Sequence, residues 1–129
     1  MISNATIRLM ELLKEVEGIE YVDMFYSQDV DENASKILKL PAILFNLVGP
    51  EYTLRTNSTD TRIVKYGALL FVQDVKGNME QELASQDLTD RVYKKLRTTP
   101  DFRLKYGNCI ERKSNITCYY MEIEHISVA

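Results

Sequence analysis

Two cysteines and a single histidine are all that the 129 residues offer toward most site chemistry. Cys109 and Cys118 cannot build a disulfide framework, because small disulfide-stapled domains carry several pairs. Both thiols are expected to be reduced, in a cytoplasmic setting. His125 is expected on an edge strand near the C-terminus, where Ile123 and His125 share one face and Glu122 and Glu124 the other. A metal trio would then need donors from elsewhere, and no spacing marks them. Cys118 and His125 lie seven residues apart, so on one regular strand they face opposite sides and form no nucleophile–base pair.

Other absences narrow the classes further. Gly67, Gly77 and Gly107 are isolated, so no glycine-rich loop is present to cradle a phosphate. The formal net charge is −3, and Lys94-Lys95 and Arg112-Lys113 are only pairs, which argues against a nucleic-acid-binding face. The eight tyrosines lack the basic interleaving of single-strand binders, and packing explains them better. No apolar run approaches the roughly 20 residues of a membrane span. The apolar residues near the start are interrupted by Arg8, Glu11 and Lys14, so no secretion signal is expected. There is no internal repeat, low-complexity tract or linker, and residues 1–129 are expected to form one domain.

What is present centres on residues 61–96. Ile63-Val64-Lys65-Tyr66-Gly67-Ala68-Leu69-Leu70-Phe71-Val72 is rich in β-branched and aromatic residues and predicts a strand. Gly67 inside it predicts a bulge or a close backbone approach. At Gly77-Asn78 the period changes, and Asn78 can cap a helix over 79–96. Its predicted apolar stripe is Met79, Leu83, Leu88, Val92 and Leu96. Acidic residues lie early and Lys94, Lys95 and Arg97 late, which complements the helix dipole.

Upstream, Leu9, Leu12, Leu13 and Val16 recur at helical spacing and predict a helix over 3–17, ended by Gly18. A short strand is predicted over 19–25. Residues 27–33 form an acidic loop with Asp29, Asp31 and Glu32. It lacks the Gly and the terminal Glu of a calcium loop, so solvation is the expected reading. Residues 34–40 could form about two helical turns, as judged from helix geometry. Residues 41–48 are nearly continuously apolar, like a central strand, and should pair with the strand at 62–73 in a long antiparallel hairpin. Downstream, residues 106–111 form a weak strand and 116–126 a strong one. In the latter, Ile116, Cys118 and Tyr120 share one face, and Thr117, Tyr119, Met121 and Ile123 the other. The fold class is therefore α+β, a mainly antiparallel sheet with two principal helices packed on it.

This order resembles the phage and prophage tail terminator and tail completion (head-tail joining) families. The resemblance rests on the amphipathic stretch Ile7 to Val16, on Pro41-Ala42-Ile43-Leu44-Phe45, and on the hairpin strand ending Phe71-Val72-Gln73-Asp74. The helix spaced Leu83, Leu88, Val92, Leu96 and the Tyr- and Ile-rich last strand complete it. The similarity is one of pattern and order over most of the chain, and loops 27–34 and 55–61 fall outside it. It implies a structural protein with no catalytic, cofactor or metal residues, in the host cytoplasm during assembly and then in the virion tail. Its implied partners are further copies in a ring, often a hexamer, the tail tube protein and a head-completion protein. Asp29, Asp31 and Glu32 on one side, and Arg55, Asp60 and Arg62 on the other, are candidates for one rim contact. Solvated loops are the plainer reading of both groups. The alternative functions are a small cytoplasmic enzyme or ligand-binding domain with a scattered site, or an adaptor domain.

Overall fold

The computed structural model describes residues 2–24, 39–52, 61–73, 78–113 and 116–128. Their elements are α1 (Ile2–Lys14), β1 (Tyr21–Met24), β2 (Ala42–Tyr52), β3 (Thr61–Gln73), α2 (Asn78–Leu96), β4 (Phe102–Lys113) and β5 (Ile116–Val128). The strands form one sheet in the order β1-β2-β3-β5-β4. Only β1 and β2 are parallel; the other three pairings are antiparallel. The fold is α+β, with both helices packed against the sheet.

β3 sits at the centre and is buried on both sides. Val64, Tyr66, Ala68, Leu70 and Val72 point toward the helices and join Ile43, Phe45, Met121 and Ile123 in the main core. Leu69 and Phe71 point the other way, with Leu44 and Cys118. A strand covered on both faces cannot alternate apolar and polar residues, which accounts for the continuous run. The same alternation on β5 sends Tyr119, Met121 and Ile123 to the helix side and Cys118 to the other.

α1 lays Ala5, Leu9 and Leu13 on the core, and Val16 completes the stripe from the turn beyond it. The helix ends at Lys14, earlier than the predicted residue 17. Its last carbonyls are taken up by tighter bonds, from Glu15 N to Leu12 O and from Val16 N to Leu13 O. Gly18 then reverses the chain at φ +93°. A side chain there would also collide with Arg91, whose Nη1 donates to the Glu17 carbonyl at 3.1 Å and ties this turn to α2.

α2 corrects one member of its predicted stripe. Leu83 is 58% exposed, whereas Leu88 is 7% exposed and Ser85, Val92 and Leu96 are buried. Five residues separate Leu83 from Leu88, which rotates Leu83 well off the buried line; Ser85, three before Leu88, takes its place. Gly67 is a close approach rather than a bulge. A Cβ there would lie 3.1 Å from Tyr120 Cε1, so the tyrosine ring lies over it. The bulge is in the partner strand, between Leu47 and Gly49 of β2. β1 is shorter than predicted and β4 longer. The predicted helical turns at 34–40 lie mostly outside the described residues.

The two leucines of α2 separate packing from composition. Leu88→Asp buries an unpaired charge and should abolish folding, while Leu83→Asp should leave the melting temperature nearly unchanged. Circular dichroism and thermal melting of both variants check this. A Leu88→Asp protein that melts like wild type would show that α2 is not clamped to the sheet.

Candidate functional site

Among the described residues, two clusters of charged side chains stand out, one on each face of the sheet. On the helix side, the chain leaving α2 turns through Thr99, and Phe102 N bonds the Thr99 carbonyl at 3.1 Å. This turn places Asp101 between α1 and β5, where its carbonyl accepts from Ile126 N at 2.8 Å. Arg8 of α1 grips the Asp101 carboxylate with both ends of its guanidinium, Nη1 to Oδ2 at 2.6 Å and Nη2 to Oδ1 at 3.2 Å. His125 Nε2 lies 3.0 Å from the same Oδ2. Phe102 packs against the imidazole with ring centroids 4.7 Å apart, and Arg8 Cζ lies 5.3 Å from the Phe102 centroid.

The electrostatics follow from this arrangement. The hydrogen bond from Arg8 holds the Asp101 carboxyl below the usual carboxylate range, against an opposing contribution from burial. The same bond raises Arg8. An ionised Asp101 only accepts, so Nε2 is the ring nitrogen that donates to it. Nδ1 is buried without a hydrogen-bond partner among the described residues. Through Asp101, Arg8 and His125 join α1, the turn and β5 as a clamp.

His125 therefore departs from its predicted setting. β5 lies between β3 and β4, so the histidine is on an inner strand, opposite Val64 and Phe102. Its face is as predicted, opposite that of Cys118.

On the other face, Glu124 is 2% exposed in its side chain. Arg103 Nε donates to Glu124 Oε1 at 2.7 Å, Lys105 Nζ stands 3.6 Å from Oε2, and Lys65 is its partner in register on β3. Arg103 alone compensates the single charge of this buried carboxylate, so removing Arg103 costs more than removing Lys105, which stands farther off. Among the described residues no cluster of three or more metal-ligating side chains occurs. No described helix is long and apolar enough to cross a membrane.

Two open grooves flank α2. One, of about 340 Å³, runs between α2 and β4 and is lined by Thr89, Tyr93, Leu104, Lys105, Gly107 and Tyr119, among others. The other, of about 350 Å³, lies between the end of α1 and α2 beside Glu15, Arg91, Lys95 and Thr98. Lys95 is already bonded there to Glu15 at 2.8 Å.

Of the predicted interface residues, Asp29, Asp31, Glu32, Arg55 and Asp60 lie outside the described residues. Arg62 is on β3, paired with Tyr52 and Ser127, and half-buried. The polar residues that sequence reasoning missed are Arg8, Asp101 and Glu124. Arg8 and Asp101 are 93 residues apart, and no local spacing joins them. No protein-family model matches the chain, and no curated protein matches it at a significant level.

The clamp makes stability depend on acid pH. Because the folded pKa of Asp101 is depressed below its unfolded value of ~3.9, the unfolded chain takes up the proton first as pH falls. The contribution is complete above that value and disappears as pH drops through the folded pKa. Asp101→Asn should cost on the order of 1 kcal/mol at pH 7, and the gap to wild type should close well below pH ~4. Urea unfolding across that range checks it; a gap that persists unchanged in acid would contradict the clamp.

Proposed function

We propose that this chain is a structural component of a phage or prophage tail, a tail terminator or tail completion protein that works as a ring at the head-proximal end of the tail tube. The observation that carries the reading is the order in which its elements meet. The amphipathic α1, the Pro-Ala strand β2, the hairpin to β3, the helix α2 and the Tyr- and Ile-rich β5 all join one sheet. The resemblance to those families lies in the same order of elements along the sequence.

The polar clusters agree with a role that needs no catalysis. Arg8 and Asp101 bond each other, His125 meets Asp101 through Nε2, and Glu124 is bonded by Arg103. Ring closure requires heterologous contacts, in which one patch meets a different patch on the neighbour. The partners under this reading are further copies of the chain, a tail tube protein and a head-completion protein.

One observation favours a second reading. The groove between α2 and β4 is large enough for a small ligand, which would make this a ligand-binding domain. The readings separate in two measurements. Native mass spectrometry over a concentration series, alone and with the tail tube protein encoded nearby, should reveal a closed oligomer. Thermal-shift screening against nucleotides and divalent ions should give no large stabilisation, where a specific ligand at 100 times its Kd would add ~2.7 kcal/mol. A strict monomer that ignores the tail tube protein, or a saturable ligand-induced rise in melting temperature, would overturn the tail reading.

A further inference from the structure

The two rims of the sheet are different and complementary. β1 pairs with β2 only from Ala42 to Phe45, so from Asn46 onward β2 has β3 as its sole neighbour among the described strands. Leu47 and Val48 project there, 37% and 64% exposed. The bulge before Gly49 lies here, Val48 sits beside Gly67 on the face opposite Leu47, and Gly49 at φ +150° adopts a conformation that side chains disfavour. Asn46 Oδ1 accepts from Leu47 N at 2.8 Å, which occupies a backbone donor that an added strand could use. Contact at this rim therefore falls to side chains.

The opposite rim is β4, and beside it lies the groove formed with α2. Tyr93 stands over the groove, 43% exposed, with Leu104 and Lys105 at its floor and edge. Register ties the rims together. Leu47 pairs with Tyr66, Tyr66 with Ile123, and Ile123 with Leu104, so the two rim leucines share one level and one face of the sheet. A rotation about an axis parallel to the strands carries one rim onto the other at that level, which is the relation a head-to-tail ring needs.

Charge is arranged in the same sense. Residues 11–24, which end α1 and form β1, hold Glu11, Glu15, Glu17, Glu20 and Asp23 against Lys14 alone. β4 carries Arg103 and Lys105, both exposed. Arg103 and Lys105 reach solvent while the Glu124 they bind is buried, so the positive ends are outermost. Opposite charge on the two rims favours rim-to-rim encounter and disfavours like-to-like pairing.

We propose that Leu47 of one copy seats in the α2–β4 groove of the next, with the acidic α1–β1 rim facing the basic β4 rim. The inference rests on the ring reading in requiring self-association, and it assigns the surface. Leu47→Asp damages one rim and Tyr93→Asp the other, and both positions are exposed enough for the fold to persist. Circular dichroism verifies that persistence, and Leu47→Ser replaces Leu47→Asp if the latter unfolds.

Native mass spectrometry is then run on wild type, each variant and their equimolar mixture, alone and with the tail tube protein. Each variant should self-associate at least tenfold more weakly than wild type. The mixture should form heterodimers and nothing larger, because the Leu47→Asp copy keeps its groove and the Tyr93→Asp copy keeps its leucine rim. Variants that assemble like wild type, or a mixture that stays monomeric, overturn this surface and leave the ring reading standing. A wild-type protein that is monomeric under both conditions overturns both.

Discussion

Burial of β3 on both faces is the constraint on which the other elements depend. A thirteen-residue strand with large side chains on two sides needs two covered surfaces and two neighbouring strands. Each large side chain taken from water contributes ~1.5–3 kcal/mol, so leaving either face open would forfeit several such terms. β2 and β5 supply the neighbours, pairing with β3 along nearly its whole length. α1 and α2 supply one cover, and their apolar stripes fit no other partner in the described chain.

Once the faces are committed to folding, polar chemistry has little room to act independently. Arg8 crosses from α1 to Asp101 and His125, so the most conspicuous titratable residues of the chain are held in a contact between elements. Tyr66 behaves similarly. Its buried hydroxyl meets Thr6 of α1 at 2.9 Å, and burial pushes the phenol above its usual range, so it stays neutral. Among the described residues, those exposed at the rims are Leu47 and Val48 on one and Tyr93 and the β4 cations on the other, beside Ile7 and Leu83 on the helices.

The sequence made some of this legible and hid the rest for physical reasons. Local periodicity reveals β3, the start of α2 near Asn78 and the two faces of β5, because each is set by neighbours along the chain. The end of α1 was harder, since Val16 keeps the helical spacing after the helix itself has tightened into a turn. Leu83 fits a loose four-or-five-residue repeat, yet only the rotation of the helix against β4 decides that Ser85 is buried in its stead. His125 was misplaced on an edge because strand order, unlike strand identity, leaves no periodic trace. Arg8 and Asp101 were invisible for the same reason: their contact is made by the fold. Of the interface residues chosen from charge, Arg62 lies on β3, and the exposed apolar rim at Leu47 and Val48 was not among them.

The central claim is that the faces of the sheet hold the fold together while its unlike rims join copies head to tail. Electron microscopy of the assembled protein, with class averages taken down the particle axis, tests it most directly, because symmetry distinguishes how rims meet. The account predicts closed rings with a single rotational axis and an open centre, every subunit turned the same way. Particles with twofold symmetry, in which identical rims face each other, would contradict it.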